Sequence, residues 1–498
     1  MDRARSAMRS RVRHAVAEAD AEIATDQTRR SGARRLAEVA FIALFFAVLL
    51  FAAVPMGANR DWAWSPIVVL VGALALWHAL GFGIIDGHVV RPAERLPLTL
   101  LILCFLVVVA AGIVQISPLV PLSWRAELYA RAASVLGHPV EAIVSINADA
   151  SRAALMKIAA CGAIFVMARA TCRDRRRARL FLILFLASAV LVTAYGLLMQ
   201  ATNGSCYVFN YSKRSDIAPP GRQFLCALSG TFVNSNSYAA YAGMALVTAL
   251  GLIFSRGPVS AEQSGGFATR PSAAAWLTGA RAVYLAISLL LFGGLLLSES
   301  RAGFGATVLG SILLGIVLLR GRWPSRPGVG WALAGAILVG AALVVITGSA
   351  FFHKMSNLGD LDILGRFRIW QLSVTAIGQS PWLGWGLGSF PDLYPLLQPP
   401  DLQIGNDKAH STVLEWLLDL GIPAAMCAFA TVLVPLVVCL RGCWRRRTDR
   451  YLPAVTFAAS MVAILHSVVD FSLQIPAIGF VVSALLGLGW AQAFRRTE

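Results

Sequence analysis

The sequence predicts an all-α, polytopic membrane protein of about twelve transmembrane helices. Two observations carry that expectation. Apolar residues make up 57% of the 498 positions against 14% charged, and they gather in runs of close to 20 residues, the length a helix needs to cross a hydrocarbon core about 30 Å thick. This balance excludes a soluble enzyme and a disordered chain. The runs fall at 38–57, 64–86, 97–116, 153–171, 180–200, 236–255, 282–298, 303–319, 329–350, 412–440, 453–470 and 474–494. They divide the chain into a basic tail over 1–37, nine helices over 38–350, a long loop over 351–411, and three helices with a short tail over 412–498.

Positive charge orients the spans. With both termini in the cytoplasm, the inward segments hold 30 of the 43 Lys and Arg in less than a quarter of the chain, the asymmetry that fixes topology. Arg175, Arg176 and Arg177, and Arg445, Arg446 and Arg447, are its clearest cases, and they read as anchors near anionic lipid rather than as ligand sites. The net charge of +17 is explained this way, and no nucleic-acid partner is called for. The first 35 residues carry nine Arg and no long apolar stretch, so a cleaved leader is not expected. That tail reads either as a short amphipathic helix on the inner leaflet or as solvated disorder. Residues 257–272, rich in Ser, Gly and Ala, read as a cytoplasmic linker.

Three outward segments remain, 117–152, 201–235 and 351–411, and function is expected there. The last is about 60 residues long and contains Trp370, Trp382, Trp385, Phe390 and Tyr394, which argues for an ordered, functional loop. Cys206 and Cys226 share the second segment on the oxidising side, where a disulfide is a reasonable expectation. Cys439 and Cys443 lack the His or further Cys spacing of a zinc site and read as structural.

The strongest local signal closes the long loop. His410 and Ser411 precede Thr412 and Glu415, which fit a capping box and start a helix at Thr412. His410 then stands beside free backbone N–H groups and the positive end of a helix dipole, a place that favours phosphate. An interfacial histidine bonded to a nearby carbonyl is the other reading. Arg301 lies in the polar break Ser298-Glu299-Ser300-Arg301 between two apolar runs, with Glu299 as a local partner. Arg366 opens an amphipathic stretch to Gly378 in which Phe367, Trp370, Val374 and Ile377 form one apolar stripe. A guanidinium near membrane depth is costly and needs a partner, although Arg366 and Arg368 could also snorkel to lipid head groups. A phosphate-rich lipid head would satisfy all these features.

Taken in order, these residues resemble the O-antigen ligase and polysaccharide polymerase family. The resemblance rests on Gly230-Thr231-Phe232-Val233-Asn234 with Asn236, Ser300-Arg301, Gly365-Arg366 with Trp370, and the run Gly384 to Phe390. It continues through His410-Ser411 with Gly421, and through His466-Ser467-Val468-Val469-Asp470-Phe471. It spans roughly 225–480. The resemblance implies a GT-C-type membrane glycosyltransferase of the bacterial inner membrane, with a large periplasmic loop and a periplasmic active site. Its implied donor is a polyprenyl-diphosphate-linked glycan and its acceptor a hydroxyl of lipid A core or of a glycan. The family's catalytic residues map to Arg301, Arg366 and His410. Where the ligase pattern has Gly, Thr or Tyr three residues after Gly421, this chain has Ala424, and ligase and polymerase both remain open.

The chemistry suits these residue types. A diphosphate leaves readily once its charge is neutralised, a task for Arg301 and Arg366 that calls for no metal and no cofactor. His410 is placed to take the acceptor's hydroxyl proton or to hydrogen-bond the diphosphate, and both roles are open. Arg368, Asp470, His466 and Asn234 are expected to bind substrate. Asp360-Leu361-Asp362 resembles a DxD metal motif but falls on the side where a lipid-linked donor is expected. Glu415 and Asp419 share one helix face, as do His466 and Asp470. These acids also feed a rival reading, a proton-coupled transporter or lipid-glycan flippase, which would need paired, broken helices in matching halves of the chain.

Overall fold

The computed structural model describes residues 32, 34–83, 90–202, 207–208, 211–212, 227–255, 279–319, 361–398, 406–446 and 449–494. The predicted span at 329–350, Cys206, Cys226, Asp360 and the linker at 257–272 lie outside the described residues. Among the described residues the regular structure is helical apart from one two-residue antiparallel ladder, Tyr207–Val208 against Tyr211–Ser212.

In chain order the helices are α1 over 34–51, α2 Asp61–Trp77, α3 Pro92–Gln115, α4 Glu127–Leu136, α5 Ala148–Thr171, α6 Arg175–Ala201 and α7 Ser235–Ile253. They continue with α8 Ala280–Leu297, α9 Arg301–Leu319, α10 Leu361–Gln379, α11 Phe390–Leu397, α12 Thr412–Arg445, α13 Tyr451–Val468 and α14 Pro476–Ala493. Ten of them, α2, α3, α5 to α9 and α12 to α14, are long and apolar enough to cross a membrane, so the chain is a multi-pass membrane protein. Each matches a predicted span. The first predicted span, 38–57, is shorter than expected: the helix stops at 51 and the chain turns through Met56–Ala58.

Side chains start the helices where the sequence offers an acceptor. Asn147 Oδ1 accepts from Ala150 N at 3.0 Å to open α5, and Asp174 Oδ1 accepts from Arg176 N at 2.7 Å and Arg177 N at 3.0 Å to open α6. Helices α7, α13 and α14 are buried along most of their length, while α3 and α5 leave many apolar side chains facing outward. Small residues allow the close approach that helix packing in lipid depends on: Gly310 lies against Val462 and Ala458 O of α13, and Gly487 against Phe165 O and Ala168 of α5.

The two ends of the bundle differ in chemistry. At one end Glu94 accepts from Arg169 Nε and Trp490 Nε1, both at 2.8 Å, and Arg175 pairs with Asp449 at 3.2 Å. Arg450 Nη2 donates to Val317 O at 2.9 Å. Arg446, expected to be a lipid-facing anchor, is buried and donates to Gln492 O at 2.6 Å. Its guanidinium ties α12 to α14, a contact that a charge count does not reveal. The other end gathers the starts of α7, α9, α12 and α14 and the finish of α13, with the described helices of the long loop, α10 and α11, laid over it.

Candidate active site at the loop end of the bundle

The loop is seated by a break in α12. Gly421 has φ +72° and ψ 166°, inside an otherwise helical run. The carbonyls released by this break need donors, because hydrocarbon offers none. The turn Gly384 to Phe390 supplies them: Trp385 N donates to Leu418 O at 3.0 Å and Gly386 N to Asp419 O at 3.1 Å. Gln115 Nε2 reaches Asp419 O at 2.7 Å, and Gly388 N donates to Asp419 Oδ2 at 2.8 Å. Gly384 has φ +69°, and a Cβ there would run into the Asp419 carbonyl. The rival transporter reading expects paired, broken helices in matching halves of the chain; this break is bridged by the backbone of the loop.

The next stretch presents His410. Ser411, not Thr412, is the N-cap of α12, its Oγ accepting from Leu414 N at 3.4 Å. Glu415 does not complete a capping box. Its carboxylate is taken instead by Lys408 Nζ at 3.0 Å and Ala409 N at 3.1 Å, because the chain before the cap folds back over the first turn. Trp370 Nε1 donates to Ala409 O at 3.0 Å. Between these anchors His410 adopts φ +50°, a left-handed conformation that costs a side chain about 1 kcal/mol or more.

Asp470 stands at the centre of the arrangement and is fully buried. Its Oδ2 accepts from Asn236 Nδ2 at 2.7 Å and lies 3.8 Å from Arg366 Nη2; its Oδ1 accepts from Phe471 N at 2.7 Å and lies 4.0 Å from His410 Nδ1. Arg366 Nη1 donates to Val469 O at 3.0 Å. The Asp470 carbonyl accepts from Thr412 N at 3.1 Å and Thr412 Oγ1 at 3.2 Å. One residue after α13 therefore binds the starts of α7 and α12 and the arginine of α10. Burial pushes the His410 pKa below its ordinary value; Asp470 opposes that shift and Arg366 adds to it. Burial also pulls on Lys408, but Glu415 with Asp419 and Asp407 outweighs it and the ammonium is held charged, above its ordinary range.

The other expected residues fall as follows. Arg301 is the first residue of α9, with Ser300 Oγ accepting from Gly303 N at 3.1 Å. Its helix starts beside α7, Gly303 lying against Ala239, which puts Arg301 at the same end as Asp470. Arg368 is exposed; it sits two residues from Arg366, about 200° around the helix axis, and points away from Asp470. His466 is fully buried, with Nδ1 2.7 Å from Ser472 Oγ, so it packs behind the turn that carries Asp470 rather than facing outward. Asn234 caps α7, its Oδ1 accepting from Asn236 N at 2.6 Å. The predicted apolar stripe of α10 divides: Phe367 is 61% and Val374 58% exposed, while Trp370 and Ile377 are half-buried beside the buried Ile369, Ser373 and Ala376. The exposed pair suits a helix lying in the lipid interface. Sequence reasoning missed Lys408 and the direct role of Asn236. A signal existed for the second, since Asn236 had been noted beside Asn234.

The family model described as O-antigen ligase matches residues 286–429. That stretch is similar to the O-antigen ligase family. No curated protein matches the chain. The matched stretch runs from α8 into α12 and contains Arg301, Arg366, the Gly384 turn, His410 and Gly421, whereas Asn236 and Asp470 come from outside it. The match supports a role in glycosyl transfer during O-antigen or polysaccharide assembly.

Proposed function

We propose that this end of the bundle is the active site of an inverting glycosyltransferase. It moves a preassembled glycan from a polyprenyl diphosphate to a hydroxyl of lipid A core or of a growing glycan, as a ligase or a polymerase. The architecture is then of the GT-C type, with about twelve spans in the bacterial inner membrane and both termini cytoplasmic. Residues 351–411 form the periplasmic loop.

The observation that carries this reading is the convergence of Arg366 and His410 on Asp470, from three separate stretches of the chain. The acceptor oxygen attacks the anomeric carbon, the bond from that carbon to the phosphate oxygen breaks, and the diphosphate leaves with the electron pair. Arg366 and Arg301 neutralise the departing charge in a site of low dielectric. With its Nδ1 turned to Asp470, His410 takes the acceptor proton on Nε2, and the carboxylate steadies the imidazolium that forms. Asn236 and Phe471 N hold the carboxylate in place. Charge neutralisation is assigned to guanidinium groups rather than to a metal ion.

Purified protein in liposomes, supplied with a lipid-diphosphate glycan and acceptor in EDTA, tests the reading. The expected product carries the inverted anomeric configuration. Retained configuration, or movement of the glycan across the bilayer with no new bond, would contradict it.

A further inference from the structure

Residues 116–144 form a loop whose two ends meet at the finish of α3. Ser145 N donates to Gln115 O at 2.9 Å, so the chain returns to the level at which it left. That level is the edge of the hydrocarbon. Residues 96–115 of α3 include no charged side chain and rise about 30 Å, the thickness of a bilayer core. Ile113, in the last turn of that span, is 54% exposed, so lipid-facing surface reaches the base of the loop.

The loop itself turns apolar side chains away from the protein. Leu119 is 92% and Leu122 79% exposed, with Trp124 exposed behind them. Helix α4 is two-sided. At about 100° per residue, Leu128, Tyr129, Ala132, Val135 and Leu136 fall on one side, and Glu127, Arg131 and Ser134 on the other. Tyr129 OH donates to Ser145 O at 2.8 Å and holds one edge of the apolar side to the protein, which leaves Leu128, Val135 and Leu136 exposed. The polar side carries an exposed ion pair, Arg131 with Glu127 at 3.1 Å.

The backbone before α4 suits a medium short of water. Pro118 and Pro121 have no N–H to satisfy. Ser117 N donates to Val114 O, Leu119 N to Ser117 Oγ, Trp124 N to Pro121 O and Arg125 N to Leu122 O. Arg125 folds back over the turn, its Nη2 donating to Pro118 O at 3.0 Å and its Nε to Val120 O at 3.3 Å. Irregular backbone is tolerated at membrane depth where its polar groups are met within the protein.

We propose that residues 117–136 are a monotopic insertion into the leaflet at the loop end of the bundle. Helix α4 lies in the boundary between head groups and acyl chains, its Glu127–Arg131 side turned to water, and Leu119 and Leu122 reach the acyl chains beneath. The bilayer is the occupant of this face because Leu119 follows six residues after Ile113, at the base of a span that lipid already covers. The insertion also sets the height of the long loop. Ile146 N donates to Trp385 O at 3.1 Å and Asn147 Nδ2 to Asp392 Oδ2 at 2.8 Å, so the residues that close the insertion hold the turn between α10 and α11.

Photolabelling of the full chain in single-copy nanodiscs of phosphatidylcholine tests this. One arm uses a diazirine near the carboxyl end of an acyl chain, the other a water-soluble diazirine, and mass spectrometry reads the label residue by residue. Leu119, Leu122, Val135 and Leu136 are expected to take the lipid-borne label as Ile113 does, and Arg131 and Ser134 the water-soluble one. Leu119→Asp combined with Leu122→Asp should cut the lipid-borne label on residues 117–124 about ten-fold and leave Ile113 unchanged, while Leu119→Phe with Leu122→Phe should keep it. Water-soluble label on Leu119 and Leu122 of the wild type would overturn the proposal, whatever the variants do. Protection of the wild type from both reagents would overturn it as well, by giving the face to protein, and so would undiminished lipid label in a folded aspartate variant.

Discussion

Arg366 reaches Asp470 from a helix of the long loop, its Nη2 standing 3.8 Å from a carboxylate that is fully buried. The same carboxylate accepts from Asn236 at 2.7 Å and lies 4.0 Å from His410 Nδ1. Removing its charge while keeping its shape separates electrostatics from packing. Asp470→Asn is expected to lower the transfer rate about 100-fold, the lower range for disturbing a positioned acid–base pair, while the protein still elutes as a folded species. A rate within a few-fold of wild type in a reconstituted transfer assay would show that the carboxylate is only structural.

The pH dependence follows from the same group. His410 is held below the ordinary histidine value of 6.5 by burial, with Asp470 opposing and Arg366 adding. A lowered pKa keeps the ring neutral, and able to accept a proton, at neutral pH and somewhat into acid. The rate should therefore be flat around pH 7 and fall only below pH 6.5, as the ring charges. In residual activity, Arg366→Gln should move that acid limb up and Asp470→Asn should move it down. A profile of kcat/KM against pH reads all three, and a wild-type limb above 6.5 would count against His410 as the base.

Lys408 and Glu415 form the pair that holds the His410 segment to α12, at 3.0 Å with the carboxylate 1% exposed. Lys408→Met leaves that carboxylate without its partner and should destabilise the protein by about 3 kcal/mol, the scale for breaking a buried pair. Adding Glu415→Gln should recover most of the loss. Thermal unfolding in detergent, run on the single and double variants, measures the recovery.

The spans were legible because lipid imposes one rule on every membrane helix, a long run of apolar residues. All ten candidate spans coincide with predicted ones. The cap of α12 was legible to within one residue, since Ser411 and Thr412 can both accept from the first turn. What escaped were contacts that no local spacing encodes. Glu415 has the right position for a capping box, but Lys408 takes it because the preceding chain doubles back. The stripe of α10 is legible as apolar, but period alone does not say what covers each member: Phe367 and Val374 are exposed, whereas Ile377 packs against the buried cluster of the loop. Asp470 was expected to bind substrate. Its place at the centre depends on three helices meeting, and Arg368 and His466 were set aside by orientation and burial rather than by residue type.

The most direct test of the central claim is the rate of glycosidic bond formation by His410→Ala and by Arg366→Ala, each in liposomes with a lipid-diphosphate glycan and its acceptor. Both are expected to fall at least 100-fold with unchanged insertion and unfolding temperature. Wild-type turnover in either folded variant would contradict the assignment of this site.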